Sequence, residues 1–301
     1  MVQINDELFN DIILSTDGQT VFGTPGNDFI VVRGGNNTVF AGDGTNYVTA
    51  GFLDVQVVTD GGQDFVDFFE PTPPGDNTIY GGSGQDTFLV GSGNDLLFLG
   101  EGNNVVNAFV GGNKTIYAGA GDDFFLLQGS GDNLIFAGEG NNIINAAFNE
   151  GNNTIFAGSG NDSIDVFGAD DNVIYAGEGA NTVFGSFEGD NLIYAGAGSD
   201  FIGVGISSNT VYAGEGDNTI VSLGGNNTIY TGSGSDRFGF NPVSTEGVAT
   251  IIGYGANDRI GVNGDPTQLT ATQVGADTLI RFGSDDLALL KFTQKSAVVF
   301  A

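Results

Sequence analysis

The 301-residue sequence contains no cysteine, no histidine and no tryptophan. Without Cys there is no disulfide frame and no thiol nucleophile. With His also missing, a thiolate or imidazole zinc site and an imidazole general base are excluded. Basic residues are nearly as scarce: 7 Lys and Arg stand against 37 Asp and Glu, a net charge of −30, and only Arg33 and Lys114 precede residue 237. Such a chain repels nucleic acid and anionic membrane surfaces and attracts cations, so neither nucleic-acid binding nor membrane insertion is expected. The 6 prolines are too few for a Pro-rich linker or a collagen-like chain. No apolar run approaches the ~20 residues of a membrane-spanning helix. The first residues, MVQINDELFNDIILSTDGQT, have no basic region, and Asp6, Glu7 and Asp11 interrupt their apolar run. That is a poor secretory signal peptide, so any export needs another device.

What the sequence has in excess is glycine, 52 residues, and it is periodic. A phrase close to N-T-I-Y-A-G-x-G-x-N/D-x-I-x-V recurs with its leading turn glycine at Gly23, Gly42, Gly61, Gly82, Gly100, Gly119, Gly138, Gly158, Gly177, Gly196, Gly214 and Gly232, 12 copies spaced 18 to 21 residues apart. Each copy holds two short apolar alternations of period two, each introduced by Gly and Asn or Asp, and period two bounded by turn residues reads as strand. Two strands of about five residues and two tight turns fill a coil and leave no room for a helix. The expected fold is therefore all-β, a parallel β-roll solenoid of two sheets. At ~4.8 Å per coil its length would be about 58 Å.

Stacking puts equivalent residues into ladders. The first strand sends inward Val39, Ile79, Leu97, Ile116, Ile135, Ile155, Ile174, Ile193, Val211 and Ile229, and the second Phe88, Val106, Phe125, Ile144, Ile164, Val183, Ile202, Ile220 and Phe238. A further ladder alternates strictly: Asp86, Asn104, Asp123, Asn142, Asp162, Asn181, Asp200, Asn218, Asp236. The true repeat is thus two coils. On the opposite edge the corresponding places are held mostly by Asn, with Asp95 and Lys114 as exceptions.

Turns such as Gly82-Ser83-Gly84-Gln85-Asp86, Gly91-Ser92-Gly93-Asn94-Asp95 and Gly119-Ala120-Gly121-Asp122-Asp123 resemble the calcium-binding nonapeptide of RTX proteins, G-G-x-G-x-D-x-U-x. The resemblance covers about 220 residues and gains its strength from repetition at fixed spacing. It implies Ca²⁺ held between successive coils by turn carbonyls and the Asp carboxylate, an all-oxygen shell of the kind calcium prefers. Carried over residue by residue, the metal ligands are Asp28, Asp64, Asp86, Asp123, Asp162, Asp200 and Asp236 on one edge and Asp95 on the other. The departure from the family pattern is Asn at alternate ladder positions, since an amide brings only a neutral oxygen and an Asn ladder can bond along the stack without metal.

From Arg237 the repeat breaks and five of the seven basic residues appear. Ile251-Ile252-Gly253-Tyr254-Gly255-Ala256-Asn257-Asp258 and the apolar end Ala297-Val298-Val299-Phe300-Ala301 resemble the C-terminal module of type I-secreted RTX proteins, which implies a cap carrying an uncleaved signal for the type I secretion apparatus and an extracellular or cell-surface location. The expected organisation is an N-terminal cap at 1–19, the roll at 20–240 and the C-terminal cap and export module at 241–301. The loop Glu70-Pro71-Thr72-Pro73-Pro74 is expected to bulge from one coil.

No catalytic residue stands out, because every coil repeats the same acids on the same edge. An outward rank on the first strand is more informative: Tyr80, Tyr117, Phe136, Phe156, Tyr175, Tyr194, Tyr212 and Tyr230, with Phe40 and Phe98 completing it. Such a rank stabilises a sheet through cross-strand pairs, and as a continuous apolar strip it also suits self-association into a filament, surface layer or matrix. The other readings are a monomeric calcium-binding or adhesin module that holds carbohydrate and, more distantly, an ice-binding surface, although flat Thr ranks would serve that purpose better than aromatics.

Overall fold

The computed structural model describes residues 2–5, 9–50, 54–68, 75–168, 170–185, 189–242 and 247–301. The chain divides into two compact units, Met1–Thr154 and Ile155–Ala301. It is an all-β parallel solenoid of about 12 turns. The bulge expected at Glu70–Pro74 lies outside the described residues.

In the N-terminal unit the first-strand sheet is built from Thr20–Phe22, Thr38–Gly42, Gln56–Thr59, Thr78–Tyr80, Asp95–Gly100, Lys114–Ala118 and Leu134–Phe136. Each pairs in parallel with the strand one coil on, in a register that puts Ile79 beside Leu97, Leu97 beside Ile116 and Ile116 beside Ile135. These four side chains have no exposed surface. The second-strand sheet stacks Phe88 on Val106, Val106 on Phe125 and Phe125 on Ile144 in the same way. The two inward ranks face each other across the coil and form the core. The innermost places at the end of the second strand pair large with small: Val90, Ala108, Leu127 and Ala146 are all buried, which fills successive layers without voids.

The C-terminal unit repeats the scheme through Val173–Tyr175, Leu192–Tyr194, Thr210–Tyr212, Thr228–Tyr230 and Ala249–Ile252 on one sheet, and Ser163–Asp165, Thr182–Phe184, Phe201–Val204, Thr219–Ser222, Arg237–Phe240 and Arg259–Val262 on the other. It ends in an antiparallel extension of the first sheet, Leu269–Val274, Asp277–Phe282 and Asp285–Lys291, while the C-terminal residues close over the second: Ala301 N donates to Ile260 O at 2.8 Å and Ile260 N to Val299 O at 3.0 Å.

The parallel pairing reaches past the boundaries expected at 20 and 240. Asn10–Leu14 already lies in register on Asp28–Val32, and Arg237–Phe240 on Arg259–Val262. These outermost coils lack the full turn phrase by which the repeat is recognised, yet they keep its apolar alternation, with Ile12, Leu14 and Ile260 buried. Val2–Asn5 pairs antiparallel with Asn10–Leu14 and covers the start of the second sheet, a usual way to blunt an open strand edge.

The glycines of the turns answer to the coil spacing. At Gly102, with φ 104°, a Cβ would lie 1.7 Å from Gly84 O of the preceding coil. Any side chain there would force adjacent coils apart, so the phrase G-x-G follows from the close approach of stacked backbones.

Candidate metal centre

The turns leading into the second strands place the Asp/Asn ladder inside the roll. Asp28, Asn46, Asp64, Asp86, Asn104, Asp123 and Asn142 are buried, each at 2 % exposure or less, as are Asp162, Asn181, Asp200, Asn218 and Asp236 in the C-terminal unit. Along most of the ladder one side-chain oxygen is committed to the backbone, where it accepts the N–H of the equivalent residue one coil earlier. Asp86 N donates to Asn104 Oδ1 at 3.0 Å, Asn104 N to Asp123 Oδ1 at 2.7 Å and Asp123 N to Asn142 Oδ1 at 3.0 Å. In the C-terminal unit Asp162 N donates to Asn181, Asn181 N to Asp200, Asp200 N to Asn218 and Asn218 N to Asp236, all between 2.8 and 3.0 Å.

Asn and Asp differ in the second atom. The Asn Nδ2 donates to the carbonyl two residues back in its own turn, Asn104 to Gly102 O at 3.0 Å, Asn142 to Gly140 O at 3.2 Å and Asn218 to Gly216 O at 3.2 Å. Asp puts an oxygen where that nitrogen would be, and an ionised carboxylate has no proton to give. The Oδ2 atoms of Asp64, Asp86, Asp123 and Asp200 are buried without a hydrogen-bond partner. Burial pushes these carboxyls up from the ordinary range, to about 6 for Asp64, Asp123 and Asp200 and to about 7 for Asp86, where the neighbouring Asp64 carboxylate adds to the effect. Burial raises Asp236 as well, with Asp258 contributing.

Two other expected ligands, Asp28 and Asp95, have local partners. Asp28 Oδ2 accepts the backbone N–H of Thr24 at 2.7 Å, and the Thr24 hydroxyl lies 3.1 Å from Oδ1. Asp95, on the opposite edge, has its Oδ2 3.0 Å from the ammonium of Lys114. Around Asp95 that edge is an amide ladder: Asn133 Nδ2 donates to Gly131 O at 3.0 Å and to Asn153 Oδ1 at 2.8 Å, and Asn191 Nδ2 to Gly189 O at 3.1 Å and to Asn209 Oδ1 at 2.9 Å.

The residues therefore fit a hard cation on the Asp edge. A buried carboxylate oxygen lacks a donor, the same turn supplies carbonyl oxygens, and calcium takes such oxygens at ~2.3–2.6 Å. Glu101, Glu139, Glu178 and Glu215 stand on the exposed side of the turns. Among the described residues no three acidic side chains converge on one point, so carbonyls, with at most a pair of carboxylates, would have to make up a shell.

A family model described as RTX calcium-binding nonapeptide repeat (4 copies) matches residues 20–53, 74–106, 111–127, 129–148, 149–166, 168–187, 188–206 and 204–238. The chain belongs to the RTX calcium-binding repeat family. Its repeats imply Ca²⁺ as the bound ion, and the RTX turns here carry the oxygen donors such an ion requires. Repeats of this family are typically structural or calcium-binding and typically occur in secreted proteins. No match to an individual curated protein was found. No helix among the described residues is long and apolar enough to cross a membrane.

The expected aromatic rank is present in each unit. Tyr80, Phe98, Tyr117 and Phe136 stack at 4.9 to 5.2 Å between ring centroids, with planes within 9° of parallel. Phe156, Tyr175, Tyr194, Tyr212 and Tyr230 stack at 4.6 to 4.8 Å within 6°.

Three features escaped the sequence reading. Phe29, Tyr47 and Phe65 form a second stacked row on the second sheet. Phe148 and Phe167 are exposed at 70 % and 50 %. An outer, exposed ladder runs opposite in sense to the buried one: Asp122 N donates to Asn103 Oδ1 at 2.9 Å and Asn141 N to Asp122 Oδ1 at 2.6 Å. Its signal was legible, because Asn or Asp also commonly stands just before the buried Asp or Asn.

Proposed function

We propose that the protein is an extracellular, calcium-stabilised structural β-roll, exported by a type I secretion apparatus, whose copies associate through the aromatic flank of the first sheet into a filament, surface layer or matrix. In this reading the Asp-edge carboxylates, Asp64, Asp86, Asp123, Asp162, Asp200 and Asp236, hold calcium, and the chain performs no catalysis.

The assembly reading rests on the geometry of the aromatic rows. Each interior ring has both faces covered by the rings one coil before and after, so only edges and Tyr hydroxyls point outward. Tyr117 is 38 % and Tyr175 36 % exposed. A carbohydrate platform needs an open ring face, which stacking removes. A flat, regularly spaced row of edges is instead suited to packing against a like surface. The calcium requirement supports the extracellular setting, where that ion is plentiful.

Sedimentation velocity in chelator and then in millimolar Ca²⁺ tests the reading. Growth into large species on adding calcium, lost in a Tyr175→Ser, Tyr194→Ser, Tyr212→Ser variant that still folds, is the expected result. A compact wild-type monomer at all calcium concentrations would leave a solitary calcium-binding module and overturn the assembly.

A further inference from the structure

Lys114 is the one basic residue found within the ladders, and it is buried to 1 % exposure. Its ammonium is enclosed by oxygens from two successive coils. Nζ donates to Gly93 O at 2.7 Å, with Gly112 O at 3.3 Å and Gly111 O at 3.4 Å, and pairs with Asp95 Oδ2 at 3.0 Å. Gly93 stands two residues before Asp95, and Gly112 two residues before Lys114. They are the carbonyls that an Asn Nδ2 takes at other positions of this edge, as Asn133 does with Gly131. The ammonium thus fills the gap left where Asp replaces Asn, between Asp Oδ2 and the carbonyl of its own turn.

We propose that the cage formed by Asp95 Oδ2 and the carbonyl oxygens of Gly93, Gly111 and Gly112 is a divalent-cation site, and that Lys114 occupies it as a cation tethered to the chain. The four donors are hard oxygens, the class calcium accepts. A Lys ammonium is a compact point charge able to sit among several acceptors at once. Its four-carbon stem fits because the inward ladder position lies beside the core. The Asp–Lys succession from one coil to the next therefore makes this one Asp-containing turn of the Asn edge independent of free metal, whereas among the described residues the carboxylates of Asp64, Asp86, Asp123 and Asp200 pair with no basic side chain. The inference takes only the choice of ion from the calcium reading and does not depend on assembly.

The test is calcium titration by calorimetry, with thermal unfolding, of the full chain carrying Lys114→Met beside wild type. The variant should take up one more Ca²⁺ per chain than wild type. In chelator its Tm should fall by roughly 10 °C, as expected when one partner of a buried ion pair is removed, and saturating Ca²⁺ should restore it selectively. Should Lys114→Met fail to fold in chelator, Asp95→Asn with Lys114→Asn completes the amide ladder and should fold there with no additional ion. Equal stoichiometry in Lys114→Met and wild type, with no calcium-specific recovery of Tm, would overturn the proposal. Because the readout is the difference between the two chains, it stays separate from whether the wild-type Asp edge binds calcium and from whether copies associate.

Discussion

The two turn edges of the roll have the same backbone course and use the same atom, a side-chain Oδ1, to accept an N–H from the preceding coil. They differ at one atom per turn. On the edge before the first strands that atom is mostly an Asn nitrogen, and it donates to a turn carbonyl, as Asn191 does to Gly189 O. On the edge before the second strands it is, in alternate coils, an Asp oxygen facing the same kind of carbonyl with nothing to donate, as at Asp86, Asp123 and Asp200. The amide edge is closed by the chain itself, and the carboxylate edge is completed by a proton or a cation. In the proposed reading calcium dependence resides on this one edge, where Asn separates most of the acidic turns while Asp64 and Asp86 stand in successive coils.

That comparison can be broken by exchanging the atom. The largest effect is expected for Asn133→Asp on the amide edge, which removes the donations to Gly131 O and Asn153 Oδ1 and buries an unpaired charge. Urea unfolding in chelator should show a loss of about 3 kcal/mol. The opposite exchange, Asp123→Asn, installs a donor toward Gly121 O and should raise stability in chelator by about 1–2 kcal/mol, measured in the same way.

A pH series sharpens the contrast. Asp64, Asp86, Asp123 and Asp200 have native values raised to about 6 or 7, above an unfolded value near 3.8. The native state therefore binds more protons than the unfolded state between those limits. The stability these groups contribute in chelator is fully present below about 3.8 and is lost as pH rises through 6 to 7. The melting temperature of wild type in chelator should fall across that window, and saturating Ca²⁺ should flatten the fall. The smallest effect is expected away from both edges: Tyr117→Leu, which removes the stacks on Phe98 and Phe136, should cost about 1 kcal/mol equally in chelator and in calcium.

The fold was legible because it is written in a repeated alternation. Val39, Ile116 and Ile229 are read as core from period two alone, and each is fully buried. The stacked row from Tyr80 to Phe136 followed from the same count. The site was legible only as a set of positions. Asp95 and Asp123 carry the same turn phrase on opposite edges, but sequence spacing cannot tell that the Asp95 oxygen meets an ammonium and the Asp123 oxygen meets none, because the partner lies one coil away and is chosen by side-chain reach. Asp28 was hidden for a similar reason: its turn reads Gly23-Thr24-Pro25-Gly26, and the Thr24 hydroxyl and N–H supply donors where other turns have glycine or small residues. Nor does an acidic composition reveal that these carboxylates are buried beneath the turns rather than solvated on them. That burial follows from the inward phase of the ladder relative to the core strand beside it.

The most direct test of the account is thermal unfolding of wild type and of a combined Asp86→Asn, Asp123→Asn, Asp200→Asn variant, each in chelator and in millimolar Ca²⁺. The account predicts that calcium raises the wild-type Tm strongly, while the variant is already the more stable of the two in chelator and gains much less from the ion. An equal calcium response in both chains would contradict it, because the ion would then be held by groups other than the buried carboxylates of that edge.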